Sequence, residues 1–185
     1  NLTGQSMATN NLNILINKPV FIRNKHFNRY LVRDSYYDKE RQNVKIIKDI
    51  TTQVNQTIGV NTGFVSTSIT FPAGYSSTDA KWNLEPCGNS KYEIIHCAFN
   101  EPLYAASDRY AHDKERRTVF TWKSGPSVTQ GFWKFEKKPN DCYAIKNTEH
   151  EEYLYAAHHP KEGLVFTWRE GTCLNDKFYW QFVRA

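Results

Sequence analysis

Short apolar runs recur along this chain in three successive units, and each unit carries four of them. The runs are rich in Val, Ile, Phe, Tyr, Trp and Thr, residue types that favour strands. They are separated by clusters of Asn, Asp, Gly, Pro and Lys, which are typical of turns. No segment shows the periodicity of an amphipathic helix. The pattern therefore predicts an all-β chain with twelve strands.

The second and third units show the repeat most clearly. Four segments match between them: 92–96 with 143–147, 103–106 with 154–157, 119–122 with 165–168, and 133–135 with 180–182. The first unit is more divergent, and its matching segments lie near 20–24, 30–32, 38–44 and 82–84. Two Trp positions recur across the units: one is held by Trp82, Trp133 and Trp180, and the other by Ile47, Trp122 and Trp168.

Three units of four strands predict a β-trefoil, in which six strands form a short barrel and three hairpins cap one end. A propeller would need about four or more blades, and only three units are present. We expect an N-terminal extension at 1–17 and one domain at 18–185, with repeats near 18–84, 91–136 and 142–183. Trp82, Trp133, Trp180 and the repeated apolar positions form the predicted core, the latter being Ile22, Leu31, Val44, Leu84, Ile94, Leu103, Val119, Phe135, Ile145, Leu154, Val165 and Phe182.

The first repeat differs from the other two by a long insertion at 48–78. Residues 50–78 carry no charge over 29 positions and are rich in Thr, Ser, Val, Gly and Asn. Alternating apolar residues on either side of 61–63 predict an extra hairpin there. One interpretation is an insertion that lies over the barrel, because long surface loops are well tolerated. The other is a contact loop for a partner protein.

Composition excludes several classes of protein. The 185 residues carry a net charge of +5 that is spread along the chain. This bias favours anionic partners, but it is too dispersed for a nucleic-acid interface. No apolar stretch is long enough to span a membrane. The motifs of nucleophilic, zinc-dependent and P-loop enzymes are missing, so we expect a non-enzymatic monomer without metal or cofactor.

Two hairpin loops, 33–41 and 107–117, carry the candidate ligand-binding residues. Each combines Tyr with acidic and basic side chains. Tyr rings stack on sugars, and Arg can bind a sulfate or phosphate through two parallel hydrogen bonds. The alternative is that the charged residues of each loop pair with one another at the surface. The predicted ligand-binding residues are Tyr36, Tyr37, Arg41, Tyr110, His112, Arg116, Arg117 and Trp122.

Cysteines and glycosylation sequons indicate a secreted protein. Cys87, Cys97, Cys142 and Cys173 form an even set without zinc-ligand spacing, which predicts two disulfides. Their places in the repeats favour pairing 87 with 142 and 97 with 173, although all three connectivities stay open. The alternative is four free thiols in a cytosolic protein. Asn1 and Asn55 begin the two candidate sequons. If Met7 is the native start, the chain is instead cytoplasmic, with residues 1–6 foreign to it.

The Trp-x-Phe or Trp-x-Leu block in the fourth strand of each repeat resembles the end of the Gln-x-Trp-x-Phe signature of ricin-type β-trefoil lectins. Ala80, Gly131 and Phe178 replace the Gln, which argues against ricin-type galactose recognition. The region from Lys18 to Ala185 also resembles the trefoil half of insect 30-kDa haemolymph lipoproteins. It is still more similar to small secreted β-trefoil proteins of blood-feeding flies, through 103–106 and 116–122.

Together these observations predict a secreted protein that binds a glycan or another anionic or hydroxyl-rich ligand at the hairpin loops. The resemblance implies an insect body fluid, such as saliva acting on a host. The alternative is an inhibitor of a protease or clotting factor that contacts its host protein through the 50–78 loop. The second repeat is the favoured ligand-binding lobe, because it combines Arg116 and Arg117 with Trp122.

Overall fold

Twelve antiparallel strands form the framework of the described chain. The computed structural model describes residues 12–50, 69–123, 128–157, 163–169 and 173–185. Within these residues the strands are β1 (Val20–Asn24), β2 (Arg29–Tyr36), β3 (Arg41–Lys48), β4 (Trp82–Pro86), β5 (Tyr92–His96), β6 (Leu103–Ala105), β7 (Arg116–Trp122), β8 (Trp133–Lys138), β9 (Cys142–Asn147), β10 (Glu152–Ala156), β11 (Val165–Trp168) and β12 (Tyr179–Arg184). The predicted all-β chain of twelve strands is confirmed.

Six of these strands close into a barrel. Strand β1 pairs with β4 and β12, β5 pairs with β4 and β8, and β9 pairs with β8 and β12. These are the strands that the sequence assigned to the first and fourth positions of the repeats. Closure leaves the ring without a free edge. A short 3₁₀ turn precedes β4, β8 and β12, at Ser77–Ala80, Thr129–Gly131 and Asp176–Phe178.

The other six strands form three hairpins at one end of the barrel. Strands β2–β3, β6–β7 and β10–β11 pair within each hairpin. Strand β7 also pairs with β11 through 116–118 and with β3 through 120–122, and an isolated bridge joins Lys45 to Leu164. The hairpins are thereby held against one another as a cap, which is the β-trefoil arrangement.

The same tryptophan contact occurs at the start of three barrel strands. The indole Nε1–H of Trp82 donates to Leu31 O at 2.9 Å, that of Trp133 to Leu103 O at 2.9 Å, and that of Trp180 to Leu154 O at 3.0 Å. All three rings are fully buried. Each Trp therefore fills the core and also ties a barrel strand to a hairpin, with its one donor satisfied.

A buried polar side chain ends the strand that opens each repeat. Asn24 Nδ2 donates to Lys177 O at 2.9 Å, and Asn147 Nδ2 donates to Gln130 O at 2.8 Å. Their Oδ1 atoms accept two backbone N–H groups of the following turn. His96 takes the equivalent place in β5, with Nε2 3.1 Å from Asp79 O. Each of these three side chains thereby hydrogen-bonds one backbone carbonyl of a 3₁₀ turn.

The predicted core is confirmed for most of its members. Trp82, Trp133 and Trp180 are buried, and so are ten of the twelve predicted aliphatic and aromatic positions. Phe135 and Phe182 are the two exceptions, because they are only half-buried at the open end of the barrel. There they meet edge to face, with ring centres 5.0 Å apart, and Phe135 also stacks on Tyr92 at 4.6 Å.

The segments next to the barrel pack against its surface. A helical turn at 12–15 places Leu12 and Leu15 against the core cluster. The ends of the predicted insertion meet, because Ile50 N donates to Thr70 O at 2.7 Å. Phe71 is buried against Phe21 and Tyr30. The rest of the insertion at 51–68, the predicted hairpin at 61–63, and the sequons at Asn1 and Asn55 lie outside the described residues, as does Met7.

The cysteine prediction was wrong in this structure, since all four described cysteines are free thiols. Cys87 and Cys173 are exposed, Cys97 is half-buried, and Cys142 is buried at the start of β9. The thiols face different surroundings: Cys142 lies near Lys25 and Asp176, whereas Cys87 lies near Glu93 and Lys91. Burial raises the pKa of the Cys87, Cys97 and Cys142 thiols, which keeps them protonated near neutral pH.

Candidate functional site

A cavity of about 920 Å³ opens at the cap, between the first two hairpins and the start of the third. We call it the cap cavity. Strands β2 and β3 form one wall, β7 and the loop 106–112 form another, and β11 closes it. Its lining residues are Asp34, Ser35, Tyr37, Asp38, Glu40, Arg41, Asn43, Val44, Lys45, Tyr104, Ala106, Ser107, Asp108, Arg109, Tyr110, Ala111, His112, Thr118, Val119, Phe120, Trp122, Leu164, Val165 and Phe166. Its volume lies at the upper end of the usual range for ligand pockets.

The turn of the first hairpin is built around Asp38. Its Oδ1 accepts the backbone N–H groups of Glu40 at 3.0 Å and Arg41 at 2.8 Å, an Asx-type turn. Its Oδ2 accepts from Arg41 Nε at 2.7 Å and also from Nη2. These hydrogen bonds, with that from the Arg41 side chain the largest, lower the pKa of Asp38. The ion pair therefore closes the hairpin within itself.

The guanidinium of Arg41 also lies among aromatic rings. Its carbon is 4.7 Å from the ring centre of Tyr37 and 5.2 Å from that of Phe120. Arg41 is the cross-strand partner of Trp122 in the β3–β7 ladder, and Trp122 packs on Tyr104 at 5.0 Å. Hydrogen bonding to Asp38 raises the pKa of Arg41 further above its usual value. The side chain joins the first repeat to the second.

Arg116 makes the same arrangement one repeat later. Asp113 Oδ1 accepts the Glu115 N–H at 3.0 Å, and Asp113 Oδ2 lies 2.8 Å from Arg116 Nε. The Arg116 guanidinium carbon lies 5.1–5.6 Å from three ring centres of the third repeat, those of Trp168, Phe166 and Tyr155. Arg116 is therefore held between the second and third hairpins and does not line the cap cavity.

Arg117 belongs to a buried ion pair. Its Nε lies 3.0 Å from Glu152 Oε2, and Thr167 Oγ1 donates to the same oxygen at 2.8 Å. Arg109 Nη2 reaches Glu152 Oε1 at 2.8 Å.

A second buried carboxylate, Glu101, is bound in the same way by Arg33 at 2.8 Å and by Thr121. Burial alone raises the pKa of Glu101, but the hydrogen bonds from Arg33 and Thr121 outweigh it and lower that pKa. Removing one partner of such a pair would leave an uncompensated charge.

The structure brings together five of the eight predicted ligand-binding residues. Tyr37, Arg41, Tyr110, His112 and Trp122 all line the cap cavity, although they come from two different loops and strands. The other three do not line it. Tyr36 is exposed on the far side of the hairpin, while Arg116 and Arg117 hold hairpins together. The alternative in which charged residues of a loop pair with one another describes both Asp38–Arg41 and Asp113–Arg116.

Sequence reasoning missed several residues of the cavity. Phe120 and Tyr104 were recognised only as parts of repeated strands, and Arg109 and Lys45 were passed over. The alternation along β7 was the available signal: Val119 and Thr121 point into the buried layers, so Phe120 and Trp122 share the opposite face. Only the pairing of β7 with β3 shows that this face meets the first hairpin.

Within the described residues no group of three or more His, Cys, Asp or Glu side chains is placed to hold a metal ion. No helix in that part of the chain is long and apolar enough to cross a membrane. His158 and His159, the adjacent histidines of the third hairpin, lie outside the described residues.

Comparison with known proteins identifies the fold. No protein-family model matches the chain, and neither does a curated protein. A salivary protein of the mosquito Culex quinquefasciatus, described as a member of the Cysteine and Tryptophan-Rich family, superposes with a TM-score of 0.65 at 19% identity. That match covers 92% of this chain and 96% of the mosquito protein. The shared structure extends over almost the whole length of both.

Lectin-like structures are also similar. The Polyporus squamosus lectin, solved with a sialylated Gal-GlcNAc epitope, matches with a TM-score of 0.58 at 15% identity, over 91% of this chain and 49% of the lectin. A protein described as the BEL β-trefoil matches with a TM-score of 0.57 at 11% identity, over 92% and 94% of the two chains. At such identities the likeness establishes a β-trefoil-like fold and not a ligand.

Proposed function

We propose that this chain is a secreted, non-enzymatic binding protein that holds a glycan or another hydroxyl-rich ligand in the cap cavity. The observation that carries the proposal is the cavity itself, where Tyr37, Tyr110 and Trp122 lie beside polar groups. Aromatic faces stack on the apolar face of a sugar ring, while hydroxyls and amides bind its hydroxyl groups. The proposal includes three equivalent lobes, of which the first carries the insertion, and the ligand lies between the first and second.

Two of the similar structures support this proposal. One is a salivary protein, which supports an extracellular location, and another is a lectin solved with a bound glycan. The absence of the lectin Gln before each repeated Trp argues that the ligand is not held as galactose is held in ricin-type lectins. The resemblance to haemolymph lipoproteins stays a prediction.

A glycan array with matched Trp variants tests the proposal. Trp122 and Trp168 occupy equivalent strand ends and are both half-buried, but only Trp122 lines the cavity. Trp122→Ala should abolish specific array hits, because it removes a stacking face. Trp168→Ala should keep them, although it loses the contact with Tyr155. Loss in both variants, or in neither, would contradict binding in the cap cavity.

The second candidate function is contact with a host protein through the 50–78 loop. It is favoured by the hydrogen bond between Ile50 and Thr70, which brings the two ends of the segment together. Replacing 51–68 by a short turn should therefore keep the barrel intact. A blank array, with inhibition of a clotting or digestive protease lost in the shortened chain, would favour this function over glycan binding.

A further inference from the structure

The charges around the cap cavity indicate what kind of ligand it takes. We propose, resting on the proposed function, that this ligand carries a protonated amine on a hydroxylated body, as an amino sugar does, and not a sulfate or phosphate. The sequence alone left open a glycan or another anionic or hydroxyl-rich ligand, because it showed both Tyr and Arg residues in the loops. The structure shows what those cations are already bound to.

Each permanent cation of the lining has an internal acidic partner. Arg41 is bound by Asp38 through two hydrogen bonds. Lys45 lies 3.6 Å from Asp34, and Arg109 lies 2.8 Å from Glu152. A guanidinium clamp for a sulfate needs both of its parallel donors free. An anionic ligand would therefore have to compete with one of these carboxylates for its cation, and at Arg41 it would leave Asp38 without its ion-pair partner.

Two carboxylates of the lining are left without such a partner. Four acidic residues line the cavity against three permanent cations. Asp34 and Asp38 are engaged as described, whereas Glu40 and Asp108 have no ion-pair partner in the described part of the chain. Glu40 stands in the turn of the first hairpin and Asp108 in the loop of the second, so they border the cavity from two sides. Their field attracts a cation into the space between them.

The aromatic lining supports the same charge. The ring faces of Tyr, Trp and Phe attract cations and repel anions, because their quadrupoles place negative charge on the face. The structure already uses this property, since Arg41 lies against Tyr37 and Phe120. Asn43 and Ser107 add neutral donors and acceptors for hydroxyl groups. The carboxylates and the ring faces suit the protonated amine of an amino sugar, and the neutral polar groups suit its hydroxyls.

The experiment compares two oligosaccharides that differ only in their amines. The full chain is titrated calorimetrically with chitotetraose and with its fully deacetylated form, at low salt and at a pH where the latter is protonated. A heparin-derived tetrasaccharide is the anionic probe. The deacetylated sugar should bind about five- to tenfold more tightly than chitotetraose, which is what two partly exposed charge contacts supply. The heparin fragment should bind most weakly.

Matched variants assign the preference to the cavity. The double variant Glu40→Gln with Asp108→Asn should bind both chitin-type sugars equally. The control, Glu85→Gln with Asp141→Asn, makes an equal change of charge outside the cavity lining and should keep the preference for the deacetylated sugar. Equal affinities in the unchanged protein, or tighter heparin binding, would overturn the inference and leave the proposed function standing. A preference that survives the double variant would overturn it too. No binding of any probe, together with a blank glycan array, would contradict both.

Discussion

The guanidinium of Arg116 lies 5.1 Å from the ring centre of Trp168, its cross-strand partner between β7 and β11. Arg41 stands opposite Trp122 between β3 and β7 in the same register. In both places an arginine of one repeat covers an aromatic ring of the next. Arg41 and Arg116 thus connect neighbouring hairpins by cation–π contacts, in addition to the backbone hydrogen bonds between the strands.

The Arg116 contact should contribute measurably to stability. Arg116→Met keeps an unbranched apolar stem but removes the contacts with three rings and the ion pair with Asp113, so we expect a loss of about 1–2 kcal/mol. Chemical denaturation measures this loss. Lys114→Met, an exposed position in the same turn, is the control and should be close to neutral. A neutral Arg116→Met would contradict the role given to the contact.

The third junction between hairpins uses glycine instead of arginine. Gly163 has φ of +64°, and its carbonyl accepts the Ile46 N–H at 2.8 Å. A Cβ atom at this position would stand 2.5 Å from Ile46 O, a backbone atom that cannot move aside cheaply. Gly163→Ala should therefore cost about 2 kcal/mol or more. Gly88→Ala, at φ of +90° but in open space, separates the backbone strain from the steric clash.

His96 should make stability depend on mildly acidic pH. Burial lowers the pKa of His96 below 6.5, and its Nδ1 is buried without a hydrogen-bond partner in the described residues. Because the unfolded chain takes up the proton first, stability is full above about pH 6.5 and falls as the pH drops through the folded value. His96→Asn places at this position the residue type of Asn24 and Asn147, its equivalents. It should reduce the slope of the free energy of unfolding against pH.

Urea unfolding across mildly acidic pH measures the His96 effect. Part of the slope should remain in the variant, because burial also lowers the pKa of His150. The control is the same substitution at an exposed histidine, His26→Asn. An unchanged slope in His96→Asn would show that the imidazole does not titrate differently on folding.

Glu151 occupies a backbone conformation that suits Asn better. Its φ is 56°, and the equivalent turn positions of the other repeats are Asn28 and Asn100, both with φ of 53°. The exposed ion pair with Lys146 at 2.8 Å is worth little. Glu151→Asn should therefore raise the free energy of unfolding by about 0.5 kcal/mol. Lys146→Met removes the ion pair together with the contact of Lys146 with the Tyr153 ring, so its cost is an upper limit for the pair. A destabilised Glu151→Asn would show that the pair dominates.

The sequence by itself determined the all-β class, the number of strands and most of the core. Strand formation and burial follow from local residue types and their alternation. The same pattern occurs in each of the three predicted repeats, so a signal that is weak in one repeat is supported by the other two. Trp82, Trp133 and Trp180 could be placed in one layer for this reason. Five residues of the cap cavity were found the same way, because Tyr37, Arg41, Tyr110, His112 and Trp122 stand in loops or at strand ends.

Tertiary structure decided what those side chains do. The sequence does not show whether an arginine in a loop is free or ion-paired, because its partner depends on which strand lies beside it in the fold. The pairing of β3 with β7 and of β7 with β11 brings Arg41 and Arg116 against the rings of the next repeat. The buried Glu152 likewise takes up Arg117 from 35 residues away. The proposed ligand charge therefore rests on long-range pairing, which the local pattern does not contain.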